Sequence, residues 1–235
     1  MNTATDSLAH SLEDSARSAE ATPPAPPTVI RGTAMADLAA IYRPEVMLVS
    51  VPMAPDDGAL LHARALADAG PRERTVSVST PECAPDPEVL GRLAMRDEPG
   101  ATAWVSYLER LTGLFARLFE TRAVGLRQIV ADGPHCRRFH VDKVLARGIV
   151  NVLGACTEWL DDRDVDRSLL GHGGGADDGS SGLVQDWNRL RQSEAGSLAI
   201  FKGIAWPEAA ERAVVHRSPP ADGERRLLLT LDWLE

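Results

Sequence analysis

The pattern of apolar and polar positions changes character near Arg122. Before it, helical and strand periods are mixed. Met35 to Tyr42 reads as a short helix, and Val46 to Val51 is a continuous apolar run suited to a buried strand. Ala59 to Ala69 follows helical spacing and stops at Gly70-Pro71. Thr75 to Ser79 alternates valine with small polar residues, as a half-buried strand does. Trp104, Leu108, Leu111, Leu114, Phe115, Leu118 and Phe119 recur every three or four residues, which predicts a long amphipathic helix. Its aromatic residues read as core packing. After Arg122 the runs are short and β-branched: Leu126 to Ala131, Arg138 to Val144, Gly148 to Leu153, Ser197 to Phe201, Arg212 to His216 and Arg226 to Leu231. Turn chemistry separates them at Asp132-Gly133-Pro134, Gly154, Gly203, Pro219-Pro220 and Asp222-Gly223. Six short strands in succession predict a sandwich, a jelly roll or a barrel.

These elements define the organisation. Residues 1–28, rich in Ala, Ser, Thr and Glu and ending in Pro23-Pro24-Ala25-Pro26-Pro27, predict a disordered tail. Residues 29–122 form a mixed helical and strand region that packs on an all-strand region, residues 123–235. Within the latter, residues 163–186 are expected as a flexible loop. Its centre, Gly171 to Gly182, is of low complexity, and long loops beside sites often close on substrate. The whole is an α+β fold with N-terminal helices flanking a β core.

Composition adds exclusions. In 235 residues, 44% are hydrophobic and 25% charged, the balance of a globular chain with a real core. The formal net charge is −9, which disfavours nucleic acid and anionic membranes as partners, although Arg137-Arg138 is a local basic pair. No apolar run is long enough to span a bilayer, and Met1 to Glu20 lacks the apolar segment of a secretory signal. Three cysteines, Cys83, Cys136 and Cys156, argue against a disulfide framework and for a cytoplasmic location. There is no P-loop, no dinucleotide-binding glycine pattern, no Ser-His-Asp arrangement and no CxxC pair.

The chemistry concentrates in Pro134-His135-Cys136-Arg137-Arg138-Phe139-His140-Val141-Asp142. On a strand, alternate residues share a face, so His140 and Asp142 project together. With the distant His216 they make a 2-His-1-carboxylate set, which leaves open positions on a metal such as Fe(II). HxD is common by chance; the bland alternative is a core histidine bonded to a carboxylate. Arg225 opens the last strand and could hold a dicarboxylate bidentately. By parity it shares an apolar, apparently inward face with Leu227, Leu229, Leu231 and Trp233. Arg226 shares the more polar face with Leu228, Thr230 and Asp232 and stands as the second candidate. Cys136 keeps parity with His140 and Asp142; its thiolate as an added ligand would favour Zn(II), while a plain loop thiol is the bland alternative. His135 reads as a turn residue, Trp159 as core, Glu158 as a neighbour of the pocket, and Lys202 and Arg217 as solvated charges flanking it.

Two resemblances follow. The succession HxD, Gly196 with Phe201, His216, Pro219-Pro220, Gly223 and Arg225 resembles 2-oxoglutarate/Fe(II)-dependent oxygenases of the prolyl-hydroxylase kind over residues 123–235. It implies a double-stranded β-helix (jelly-roll, cupin-like) core, with His140, Asp142 and His216 on iron and Arg225 on 2-oxoglutarate. Over most of the chain, Phe139 to Asp142, Thr157-Glu158-Trp159-Leu160, Phe201-Lys202-Gly203, His216 to Pro219 and Arg225 to Leu229 resemble the bacterial family DUF1826. The chain reads Gly154-Ala155-Cys156 where that family is expected to have Gly-Pro-Gly. Its association with zinc-responsive genes and CobW-type GTPase metallochaperones implies the alternative of a non-catalytic zinc-binding protein of metal homeostasis. The leading expectation is an oxygenase-like protein using Fe(II) and 2-oxoglutarate.

Overall fold

The computed structural model describes residues 28–171, 178–220 and 223–234. The expected tail up to Pro27 and the heart of the glycine-rich stretch, residues 172–177 with His172, lie outside them. In chain order come β1 (Thr28–Arg31), a 3-10 helix (Met35–Tyr42), β2 (Val46–Pro52), α1 (Asp57–Asp68), β3 (Arg72–Ser79), α2 (Pro87–Leu90) and α3 (Ala101–Phe119). There follow β4 (Ala123–Ala131), β5 (Ala146–Leu153), β6 (Glu158–Leu160), β7 (Arg191–Gln192), β8 (Ser197–Lys202), β9 (Val215–Arg217) and β10 (Arg226–Leu234).

The architecture is mixed α/β. A large sheet runs β1-β2-β8-β5-β10-β4-β3, and a small one runs β7-β6-β9. Among the described residues, only β1 and β2 pair in parallel and the other strand pairings are antiparallel. The boundary at residue 122 leaves no gap: β3 lies along β4 from Arg72↔Val130 to Ser79↔Ala123, and β2 lies along β8 from Leu48↔Phe201 to Pro52↔Ser197. The two regions therefore build one sheet.

One face of that sheet is covered by helices. α3 buries Trp104, Leu108, Leu111, Phe115 and Phe119, the stripe its spacing predicts. Phe119 stacks on Trp233 of β10 with ring centroids 5.3 Å apart. Trp104 Nε1 donates to Gln128 Oε1 (3.0 Å), and Gln128 Nε2 donates to Leu93 O (3.0 Å), so the buried polar pair is satisfied. α1 begins where the Asp56 carboxylate caps Ala59 N (2.8 Å) and buries Ala59, Ala63 and Leu66. No helix among the described residues is long and apolar enough to cross a membrane. The other face of the large sheet looks toward the small sheet, and the chemistry lies between them.

Candidate metal centre

The stretch Arg138 to Val144 is not the regular strand its pattern predicts. It makes one isolated antiparallel bridge, with His140 N donating to His216 O and His216 N to His140 O, both 3.0 Å. Residues paired this way present their side chains on the same side. The two imidazoles accordingly lie with ring centroids 4.5 Å apart. Beyond His140 the chain leaves the small sheet for the exit of β8: Ile204 N donates to Asp142 O (2.9 Å) and Gly203 N to Leu145 O (2.9 Å). A Cβ on Gly203 would stand 2.0 Å from Val144 O, so this approach requires glycine. That departure swings Asp142 under both rings.

The donor atoms converge. Asp142 Oδ2 lies 3.3 Å from His216 Nε2, and Asp142 Oδ1 lies 4.0 Å from His140 Nε2. One ligand atom from each of His140, Asp142 and His216 falls within 4.8 Å of the others. His140 Nδ1 sits 2.9 Å from Arg138 O, and His216 Nδ1 sits 3.0 Å from Val214 O. A carbonyl only accepts, so Nδ1 carries the proton in each ring and Nε2 presents a lone pair. Asp142 Oδ2 is buried with no hydrogen-bond donor among the described residues. A lone pair facing an unsatisfied carboxylate oxygen needs a cation between them, either a proton or a metal. Two imidazole nitrogens and one carboxylate oxygen fit a divalent metal with open positions.

Electrostatics favour the deprotonated ligands. Burial works against the Asp142 carboxylate, but positive charge beside it, a proton on His216 Nε2 and the Arg147 guanidinium, outweighs it and holds its pKa at about 2 where no metal takes that proton's place. Burial and the neighbouring His216 lower the pKa of His140. Arg147 of β5 clamps the assembly: Nη1 donates to Asp142 Oδ1 (2.6 Å), while Nε and Nη2 donate to the two oxygens of Asp232 (2.6 and 3.0 Å). Arg147 and Asp232 were not legible as site residues, since no motif links them to HxD. They meet because Asp232 pairs with Arg147 across β10 and β5.

The remaining candidates separate. A narrow cleft of about 60 Å³ holds His140 and His216 with Arg127, Thr157, Leu228 and Thr230. Its lining shows that the Leu228 and Thr230 face of β10 looks into the site, whereas Trp233 on the other face meets α3. The parity expectation is thereby reversed: the apolar face serves the helices, and the polar face serves the cleft. Arg225 points away, with Nε donating to Asp132 Oδ1 (2.7 Å) and Nη1 to Ala67 O (2.9 Å) at the end of α1. Arg226 is 2% exposed on the cleft side, donating from Nε to Ala155 O (2.6 Å) and from Nη2 to Asn151 Oδ1 (3.3 Å). Gly154 makes the turn that brings Ala155 there, with φ +73 and Arg225 O only 2.8 Å from where a Cβ would be. Cys136 lines the cleft, but its sulfur is not in the ligand group, and burial and the Asp142 charge raise its thiol pKa. His135 lies 3.7 Å from Glu73 Oε2. Glu158 is paired with Arg217 (2.7 Å), which lies over the Phe139 ring (4.4 Å). Neither Arg217 nor Lys202 is a simple solvated charge: Lys202 is buried, donating to Arg43 O (2.9 Å) over the Trp206 ring.

Residues 32–232 match the family described as "Protein of unknown function (DUF1826)". Among solved structures, the chain is similar to the dioxygenase for auxin oxidation of rice, at 12% identity and a TM-score of 0.51, over 88% of this chain and 83% of that one. It is equally similar to dioxygenase for auxin oxidation 1 of Arabidopsis thaliana in complex with 2-oxoglutarate, at 12% identity and a TM-score of 0.51, over 88% and 92%. A prolyl-4-hydroxylase of Pseudomonas putida aligns over 86% and 99% at 14% identity, with a TM-score of 0.47. The first two likenesses are of fold. No curated protein matches the sequence.

Proposed function

The chain belongs to the DUF1826 family, and from that premise and its metal centre we propose that it is a 2-oxoglutarate/Fe(II)-dependent oxygenase-like protein. The observation that carries the reading is the convergence of His140, Asp142 and His216 around the unsatisfied Asp142 Oδ2. The fold supports the reading: a seven-stranded and a three-stranded sheet face the cleft, an arrangement consistent with the double-stranded β-helix expected of such oxygenases.

Bound iron with 2-oxoglutarate would supply oxygen activation coupled to oxidative decarboxylation. The protein's own residues have separate tasks. The Nε2 atoms of His140 and His216 offer lone pairs because their Nδ1 protons are committed to Arg138 O and Val214 O. Arg147 occupies Asp142 Oδ1, so Oδ2 is the carboxylate oxygen that would be offered to a metal. Arg226, with Asn151 beside it, forms the seat for the distal carboxylate of 2-oxoglutarate. Asn151 is 1% exposed and its Nδ2 lacks an acceptor, a donor in place for an oxyanion. Ile149 and Leu228 supply apolar lining to the cleft beside His140 and His216. The zinc alternative would enlist Cys136, whose sulfur is not in the ligand group.

Anaerobic addition of Fe(II) and then 2-oxoglutarate to metal-free protein tests the reading. A visible charge-transfer band is expected, abolished in His216→Ala. In Arg226→Met, iron binding is retained and 2-oxoglutarate binds at least tenfold more weakly, while Arg225→Met leaves both unchanged. Stoichiometric Zn(II) with no band would replace the oxygenase with the metal-homeostasis reading.

A further inference from the structure

The cleft contains a second pair of unsatisfied donors that neither the metal nor the 2-oxoglutarate seat uses. Arg127 of β4 stands directly opposite Thr230 of β10, and both side chains line the cleft with His140 and His216. Thr230 is 7% exposed and its Oγ1 has no hydrogen-bond partner among the described residues. Arg127 Nε is shielded from solvent and makes no hydrogen bond among the described residues; it keeps a looser ion pair with Glu73 Oε1 at 3.6 Å. A buried polar atom without a hydrogen bond carries an uncompensated desolvation cost, and two in one cross-strand pair mark a place that a ligand would complete. Ile129 and Ile149 flank the pair and lower the local dielectric, which strengthens a charged contact there.

A guanidinium beside a hydroxyl donor selects an oxyanion, and the planar fork of arginine suits a carboxylate. Accepting the oxygenase reading of the metal centre, we propose that Arg127 and Thr230 hold the carboxylate of a small organic acid that is the primary substrate. This carboxylate is distinct from those of the co-substrate. 2-Oxoglutarate has two, and in the proposed reading one would be held at the metal centre and the other by Arg226. On β10, Thr230 lies four residues from Arg226, about 13 Å along the strand. Depth separates them too. Arg226 is 2% exposed, whereas the Arg127 side chain is 33% exposed and so lies nearer to solvent. Glu73, between Arg127 and His135 (3.7 Å), already supplies a tethered carboxylate to this cation, showing which charge the mouth favours.

The test compares phenylacetate with its uncharged analogue phenylacetamide, titrated calorimetrically into the full-length protein under anaerobic conditions, with Fe(II) and 2-oxoglutarate present. Phenylacetate is expected to bind at least tenfold more tightly than the amide. Arg127→Met should abolish that preference and leave 2-oxoglutarate affinity and the charge-transfer band unchanged. Thr230→Val should weaken phenylacetate about fivefold, and Arg127→Lys, which keeps the charge and guards against misfolding, should retain part of the preference. Equal binding of acid and amide overturns the proposal, as does loss of 2-oxoglutarate affinity in Arg127→Met, which would make the pair a co-substrate seat. A preference for the acid, abolished by Arg127→Met, in protein that binds neither iron nor 2-oxoglutarate would keep the seat and retire the oxygenase.

Discussion

At Asp142, burial and charge pull in opposite directions, and the outcome is measurable. Its pKa falls from the ordinary 3.8 to about 2, so the folded state binds its proton more weakly than the unfolded chain. The stabilisation is full above pH 4 and is lost as pH falls from about 4 to about 2, on the order of 2 kcal/mol in all. Urea titrations of wild type and Asp142→Asn should therefore differ at pH 5 and converge toward pH 2; a difference that persists at pH 2 would show that the carboxylate is not held ionised by its neighbours. Arg147 carries the reciprocal prediction. Arg147→Met leaves two carboxylates, Asp142 and Asp232, without their shared partner, and should cost about 3–5 kcal/mol of unfolding free energy. His140, Asp142 and His216 were legible because their residue types and order match a coordination chemistry. Parity ranked Arg225 first because it reports which face is apolar, and in this sheet the apolar face meets helices while Arg226 shares the face that lines the cleft.

Elements with a strong period were read closely: α3, β2 and β10 fall within a few residues of their expected spans. The segment after His140 was not, because its hydrogen bonds go to the residues following β8, a partner that no local pattern encodes. Gly203 makes that partnership feasible. Gly203→Ala would drive a Cβ into Val144 O, and the chain around Asp142 would have to retreat. A loss of about 1–3 kcal/mol in stability is expected. Fe(II) affinity should fall further than stability alone explains, since the displaced segment carries a ligand. Elemental analysis beside thermal unfolding checks this; unchanged metal content would show that the Asp142 segment is positioned by other contacts.

For the whole molecule, the sequence divides at residue 122 and the sheet does not. Local periodicity tells where strands lie, but the pairing of β3 with β4 and of β2 with β8 is a long-range choice decided by burial. A polypeptide of residues 123–235 alone would expose the edge of β4 that β3 covers and the edge of β8 that β2 covers. It would also uncover Leu227, Leu229 and Leu231, each fully buried in the intact core, at about 1.5–3 kcal/mol apiece. That loss rivals the entire stability of an ordinary domain. The three proposed metal ligands all reside in this fragment, yet the sheet that fixes Arg147 and Asp232 would lose its helical cover. The full chain should unfold in one cooperative transition with coincident far- and near-ultraviolet signals. The fragment should show no cooperative transition and no tight Fe(II) binding. A fragment that melts cooperatively and retains the metal would show that the β core is autonomous, with the preceding region an addition to it rather than half of its sheet.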